Sequence, residues 1–189
     1  ERSLFEVTTG LVERGFSVSL VYCTPGNLLP DYEAICNTTI HVEHPYYLAP
    51  QHLHLQIKSA LRLVAKHHSC SWDIIYTNQF HDTPFAYLLG RMIRRPLVCH
   101  LRLAVSGYLS RQYKWVLNRC SSLIPISHHT AKTYSVAGIT NPDMDVIYNG
   151  VDVSHFAPRA APDYEGRRIV YLGRITPQKG LTTLINAFQ

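Results

Sequence analysis

The chain has 189 residues, which is enough to bury the core of one complete domain with a short remainder. Hydrophobic residues are 46% of it and charged residues 16%, so the composition is globular and excludes a disordered chain. No apolar run reaches the roughly 20 residues of a membrane-spanning helix, and no signal-peptide pattern is present. The formal net charge of +5 allows nucleotides or an anionic membrane surface as partners, but no basic stretch is interleaved with aromatics, so nucleic-acid binding is not expected.

Five cysteines form an odd set without a Cys-x-x-Cys pair. Cys23 and Cys99 end apolar runs, which predicts small buried hydrophobic residues in a reducing compartment. The histidine spacings do not match a zinc site, so no metal is expected. The predicted location is therefore cytoplasmic, with peripheral association at a membrane surface left open.

The sequence alternates between strand-like and helical patterns along most of its length. Ser127 and Gly138 have the residue types of a helix start and a helix end, and Asn149-Gly150 predicts a tight turn. The predicted elements, in chain order, are a helix from Leu4 to Gly15, a strand from Phe16 to Tyr22, a strand at Ile40 and Val42, a shaped loop from His44 to Pro50, a helix from Leu53 to Val64, a strand from Asp73 to Tyr76, a helix from Thr83 to Ile93, a strand from Pro96 to Leu101, a helix from Tyr108 to Asn118, a strand from Leu123 to Ile126, a helix from Ser127 to Gly138, and a strand from Asp145 to Tyr148.

This alternation predicts an α/β fold, a Rossmann-like doubly wound parallel sheet. The first strand of such a sheet is central, and a chain that opens on a helix is expected to lack it. Residues 152–166 hold prolines, alanines and mixed charges without periodicity, which predicts a linker. We therefore expect an incomplete amino-terminal domain over residues 1–151 and the first strand and helix of a second Rossmann-like domain over residues 167–189, truncated at both ends.

The carboxyl-terminal segment combines one strand, one basic loop and one helix. The apolar run Ile169 to Leu172 stops at Gly173, and a helical pattern restarts after Gly180. Arg174 and Lys179 are then presented at the carboxyl end of a strand, where open α/β proteins bind anions such as phosphate. Lysine precedes glycine here, which is not the order of a Walker loop. The alternative is that both cations are simply exposed.

Other polar residues also follow predicted strands. His100 ends a buried strand, where it is either a satisfied rim residue or a ligand-facing group. Asp82 follows the preceding strand and either caps the next helix or touches ligand, and His81 lies beside it. A tight turn by itself explains the residue types at Asn149-Gly150, so no ligand contact is needed to account for them.

Together these features resemble the group 1, or family 4, retaining glycosyltransferases, which have the GT-B fold of two Rossmann-like domains. The resemblance covers nearly the whole chain and is most specific where order and spacing both fit. It depends on Glu1-Arg2, on the helix end Glu13-Arg14-Gly15-Phe16, on Ile126-Ser127, on Val146 to Asp152 with Phe156 and Pro158, and on Tyr171 to Arg174 with Lys179-Gly180.

The resemblance implies a transfer of a sugar from a nucleotide-diphosphate sugar to a hydroxyl of a glycan, lipid or small-molecule acceptor. The acceptor would bind mainly to the amino-terminal domain, and the donor mainly to the carboxyl-terminal one. Gly173, Arg174 and Lys179 would hold the donor diphosphate, and His100 would approach the donor sugar as the catalytic residue. Two cations can replace a metal, so no cofactor is implied.

Two elements of the family pattern are missing: the glycine-rich loop before Glu1 and the Glu-x7-Glu motif beyond Gln189. The fragment alone is therefore predicted to be inactive. Two other classes stay open, a nucleotide-sugar epimerase of similar two-domain build and a non-catalytic α/β binding module.

Overall fold

The computed structural model describes residues 2–43, 53–67, 70–105, 107–154, 156 and 169–188, apart from the side chain of Gln178. The chain forms two compact units, Glu1–Gly150 and Val151–Gln189. The predicted loop from His44 to Pro50 and most of the predicted linker 152–166 lie outside the described residues.

The first unit alternates helices with short strands, as the hydrophobic periodicity predicts. In chain order its described elements are α1 (Arg2–Glu13), β1 (Ser19–Tyr22), α2 (Leu29–Ile35), β2 (Thr38–His41), α3 (Leu53–Lys66), β3 (Ile75–Thr77), α4 (Thr83–Ile93), β4 (Leu97–Leu101), α5 (Arg111–Leu117), β5 (Ser122–Pro125) and α6 (His128–Val136).

All of the described strand pairs are parallel, which confirms the α/β class. The strands are divided between two sheets, one with the order β1-β2 and one with the order β3-β4-β5. In the larger sheet Tyr76 lies opposite Val98, and His100 lies opposite Ile124. The carboxyl ends of β3, β4 and β5 therefore meet at one edge of this sheet.

The two sheets are connected by side chains. The indole Nε1 of Trp72, just before β3, donates to Ser19 Oγ of β1 over 3.1 Å. One buried cluster surrounds β4 and β5, and a second joins β2 to α3 and α4 through Ile40, Ala60 and Phe85. Ile75 packs against both clusters, so the core of this unit is continuous.

Local signals set most helix boundaries. The helix α4 has the predicted bounds, and Arg94, the residue that follows it as the C-cap, is a non-glycine residue with φ 57°. Ser127 caps α6 as predicted, because its Oγ accepts from the Thr130 amide over 3.1 Å, and Gly138 follows α6 with φ 93°. The helix α2 was not predicted, since its seven residues carry no clear period.

The predicted strand from Asp145 to Tyr148 is wrong, and Pro125 explains why. Leu123 exchanges backbone hydrogen bonds with this segment, donating to Asp143 and accepting from Asp145. The Ile147 amide donates to the Pro125 carbonyl over 3.1 Å, but proline has no N–H with which to continue the ladder. Only an isolated bridge between Leu123 and Met144 forms.

The second unit has one described helix, α7 (Leu181–Asn186), preceded by a short 3₁₀ turn at Pro177–Lys179. Gly180 joins the turn to the helix with φ 67°, a conformation that suits glycine. The predicted strand from Ile169 to Leu172 is not formed, because the described residues of this unit provide no neighbouring strand to pair with it.

Gly90 is predicted to be essential to the packing of α4. A Cβ at Gly90 would lie 2.9 Å from the Arg95 carbonyl oxygen, because the chain turns back across the helix there. We expect Gly90→Ala to lower the free energy of unfolding by about 1–3 kcal/mol, measured by urea denaturation.

Gly10→Ala is the matched control. A Cβ at Gly10, also inside a helix, would meet only the flexible end of the Arg14 side chain at 3.1 Å. This variant should be neutral or stabilising by up to about 1 kcal/mol, since alanine favours helix. Equal losses in both variants would contradict the proposed packing constraint.

Candidate functional site

Two pairs of polar side chains lie side by side where β3 and β4 end. Tyr76 Oη and His100 Nδ1 share a hydrogen bond of 2.6 Å, with the rings perpendicular at 89°. Two residues further along each strand, Arg102 Nε donates to Asn78 Oδ1 over 2.5 Å. Side chains two residues apart share a face of a strand, so the parallel register places both pairs on the same side of the sheet edge.

Arg102 connects this edge to two other segments of the first unit. Its Nη1 donates to Asn149 Oδ1 over 2.8 Å, and its Nη2 donates to the Ser3 carbonyl over 3.4 Å. One guanidinium therefore holds the end of β3, the segment after residue 148 and the first turn of α1. The tight turn predicted at Asn149-Gly150 is not formed, and the Asn149 side chain instead accepts a hydrogen bond from Arg102.

His100 is buried, with 7% of its surface exposed. Burial and, as the smaller cause, the Arg102 cation together lower the pKa of His100 to about 4. The imidazole is therefore neutral at pH 7. Among the described residues its Nε2 has no hydrogen-bond partner, which is costly for a buried polar atom unless a ligand or another group satisfies it.

Asp82 lies at the start of α4 but does not cap that helix with its side chain. Asp82 thus occupies the N-cap position with a helical backbone, but the predicted capping hydrogen bond from its side chain is not formed. Burial raises the pKa of Asp82 to about 6. Burial raises the pKa of the Cys23 and Cys99 thiols, and the Asp82 charge adds a smaller effect in the same direction.

The second unit contains the predicted diphosphate residues Gly173, Arg174 and Lys179 within seven consecutive positions. The side chains of Arg174 and Lys179 are exposed, and neither forms an ion pair with another described residue. Tyr171 Oη donates to the Arg174 carbonyl over 3.0 Å, so the tyrosine side chain folds across Gly173. A Cβ at Gly173 would lie 3.1 Å from that hydroxyl oxygen.

The loop is more structured than the sequence predicts. Lys179 lies in the 3₁₀ turn, where its amide donates to the Thr176 carbonyl over 2.9 Å. The structure thus brings Gly173, Arg174 and Lys179 together in one short loop of the second unit, and it places His100 in the first unit. The assignment of these four residues to a donor site stays a prediction.

Sequence reasoning identified His100 but missed Tyr76, which contacts it, and the neighbouring pair Asn78 and Arg102. The available signal was the spacing, since each of these two strands ends in polar residues two positions apart, Tyr76 with Asn78 and His100 with Arg102. The prediction that Cys99 is a small buried residue is confirmed, whereas Cys23 is only partly buried.

Two further features concern metals and membranes. Within the described ranges, no three histidine, cysteine, aspartate or glutamate side chains gather as a metal site would need. None of the helices that the structure describes has both the length and the apolar character of a membrane span.

The parallel strands and the polar cluster at their carboxyl ends define a Rossmann-like α/β protein. The model of the family described as Glycosyltransferase Family 4 matches residues 1–155, which is most of the chain. The chain therefore belongs to Glycosyltransferase Family 4, and the resemblance drawn from its motifs is confirmed. No curated protein matches it.

Solved structures share the fold. HepE (Alr3699) from Anabaena, in complex with UDP and glucose, matches with a TM-score of 0.61 and 22% identity over 80% of this chain and 41% of its own. The HepE complex with UDP-glucose has the same TM-score and identity. MurG from Acinetobacter baumannii matches with a TM-score of 0.56 and 15% identity over 82% of this chain and 43% of its own. The chain thus spans about two fifths of the length of these structures.

The partly buried Asp82 carboxyl is predicted to make stability depend on pH. Because its pKa rises from 3.8 to about 6 on folding, the folded state binds more protons than the unfolded state between these values. The free energy of unfolding contributed by Asp82 therefore falls as pH rises through that interval. Asp82→Asn should stabilise the protein by about 1–3 kcal/mol at pH 7.5, measured by urea denaturation, and the gain should disappear below about pH 4.

Wild type and Asp82→Asn both contain His100. The difference between their free energies of unfolding at each pH therefore excludes the contribution of His100. Asp143→Asn, at an exposed carboxyl in the same unit, is the control and should show no such pH-dependent gain. A gain in Asp82→Asn that is the same at pH 3.5 and pH 7.5 would contradict burial of the charge as its cause.

Proposed function

We propose that the protein containing this chain is a retaining glycosyltransferase that moves a sugar from a nucleotide-diphosphate sugar to a hydroxyl of a glycan, lipid or small-molecule acceptor. In this reaction the bond between the anomeric carbon and the β-phosphate oxygen breaks, and the bonding pair leaves with the nucleoside diphosphate. The acceptor oxygen bonds to the anomeric carbon on the same face, and its proton passes to the departing diphosphate.

Membership of Glycosyltransferase Family 4 is the observation that carries this proposal. The site geometry supports it, because the buried cluster around His100 lies at the carboxyl edge of a parallel sheet, where open α/β folds bind their ligands. The HepE structures contain UDP, glucose or UDP-glucose, which makes UDP-glucose the first donor to assay.

Arg174 and Lys179 are assigned to the donor diphosphate, with Gly173 allowing close approach. Cleavage leaves new negative charge on the diphosphate, and fixed cations stabilise that charge as it develops. Both side chains are exposed, and neither is neutralised by a described carboxylate, so their charge is available to a ligand. Two such cations can do the work of a divalent metal, and we therefore propose a metal-independent reaction.

His100 is assigned to the donor sugar. Its imidazole is neutral at pH 7, and Nε2 is the ring nitrogen that has no hydrogen-bond partner among the described residues. A sugar hydroxyl that reached this nitrogen would satisfy it, and the hydrogen bond would help to orient the anomeric carbon.

We expect Arg174→Ala and Lys179→Ala each to lower sugar transfer by roughly 10²-fold or more, as removal of transition-state charge stabilisation does. The measurement is the kcat/KM for transfer from UDP-glucose and other nucleotide sugars, on the longest reading frame that includes these residues. Lys66→Ala, at an exposed cation at the end of α3, is the control and should retain full activity. Full activity in both site variants would reject their assignment to the diphosphate.

The same assay separates the alternative functions. A nucleotide-sugar epimerase would convert the donor without an acceptor, whereas a transferase needs the second substrate. A binding module would show no turnover, and calorimetric titration with nucleoside diphosphates would then show whether it recognises them. Retention of the anomeric configuration is read from the product by NMR.

A further inference from the structure

The Tyr76 hydroxyl contacts the side of the His100 ring opposite its unpartnered nitrogen. The Oη–Nδ1 distance of 2.6 Å is short for a neutral hydrogen bond, and both groups are held on neighbouring strands of one sheet. The contact itself does not say which partner donates, since a tyrosine hydroxyl and a neutral imidazole nitrogen can each do either.

Acid and base strength favour one direction for this hydrogen bond. The tyrosine hydroxyl is a more acidic donor than a neutral imidazole N–H, and the imidazole nitrogen is a stronger acceptor than a phenol oxygen, so the Tyr76 hydroxyl donates to His100 Nδ1. Burial raises the pKa of Tyr76, which keeps its hydroxyl protonated and able to donate.

The position of Arg102 is itself fixed. It donates to Asn78 over 2.5 Å, to Asn149 over 2.8 Å and to the Ser3 carbonyl over 3.4 Å, and all three acceptors are neutral oxygens. None of the described carboxylates forms an ion pair with it. Its full positive charge therefore acts on the Tyr76–His100 pair, where it disfavours a second proton on the imidazole.

We infer that Tyr76 is a positioning residue that holds His100 as the tautomer with its proton on Nε2. A neutral imidazole that accepts at Nδ1 carries its single proton on Nε2. The free, buried atom of His100 is therefore a hydrogen-bond donor. It fits a ligand oxygen that accepts, such as a hydroxyl or a carboxylate, and not a ligand N–H.

The tautomer assignment stands on these contacts alone, whereas its consequence for sugar transfer rests on the proposed function. As a donor with a fixed direction, Nε2–H would hold a sugar hydroxyl by its oxygen. It would leave that hydroxyl's own hydrogen free for another acceptor, which fixes the rotation of the hydroxyl as well as its position.

The test is a long-range ¹H–¹⁵N correlation spectrum of the ¹⁵N-labelled 189-residue chain at pH 7, with the His100 signals assigned by their loss in His100→Gln. In wild type we expect a pyrrole-like Nε2 and a pyridine-like Nδ1, with one tautomer above about 90%. Tyr76→Phe should shift these signals toward a mixture of the two tautomers. A protonated Nδ1 in wild type, or an unchanged His100 spectrum in Tyr76→Phe, would overturn the inference.

Tyr134→Phe is the matched control. It also removes a buried tyrosine hydroxyl, but the described residues give that hydroxyl no hydrogen-bond partner. The His100 tautomer should be the same in this variant as in wild type. A shift as large as that in Tyr76→Phe would mean that the spectrum reports general loosening of the core, and it would count against the assigned role of Tyr76.

A second measurement separates this inference from the proposed function. In the longest reading frame, Tyr76→Phe should lower kcat/KM for the donor by about 10-fold, as loss of one oriented hydrogen bond does. If the tautomer changes and transfer does not, the positioning role of Tyr76 stands and the assignment of His100 to the donor sugar is rejected.

Discussion

The parallel pairing of β3 with β4 is the constraint on which the candidate site depends. Because Tyr76 lies opposite Val98, every second residue of the two strands faces the same side, and the polar pairs Tyr76–His100 and Asn78–Arg102 meet at the strand ends. A shift of one residue would turn one member of each pair to the opposite face. The contacts between these polar side chains therefore depend on the backbone hydrogen bonds that set the strand register.

Burial then determines the charge of this edge. His100 is neutral and Asp82 has a raised pKa for the same reason, since a low-dielectric environment disfavours the charged form of either group. The three oxygens that accept hydrogen bonds from Arg102 are neutral, so none of them offsets its positive charge. A cation beside a neutral histidine is suited to orienting a polar ligand. Stabilisation of negative charge on a ligand is left to other residues.

Elements with strong local signals were predicted well. The bounds of α4 were predicted to the residue, because an apolar period runs up to an arginine-rich end, and Ser127 was recognised as a helix cap from its residue type. The strand from Asp145 to Tyr148 was wrong because Pro125, which ends the ladder, lies twenty residues earlier in the sequence. Strand pairing depends on a partner, and a hydrophobic run contains no information about that partner.

By itself the sequence determined the parallel α/β class, the family, and the presence of His100 at the end of a strand, since each of these follows from local periodicity or from motif spacing. Only the tertiary structure decided which residues surround His100. Tyr76 lies 24 positions and Asn149 lies 49 positions away from it in the chain. Whether such residues meet depends on strand register and side-chain rotamers, which are fixed by packing of the whole unit and not by neighbouring residues.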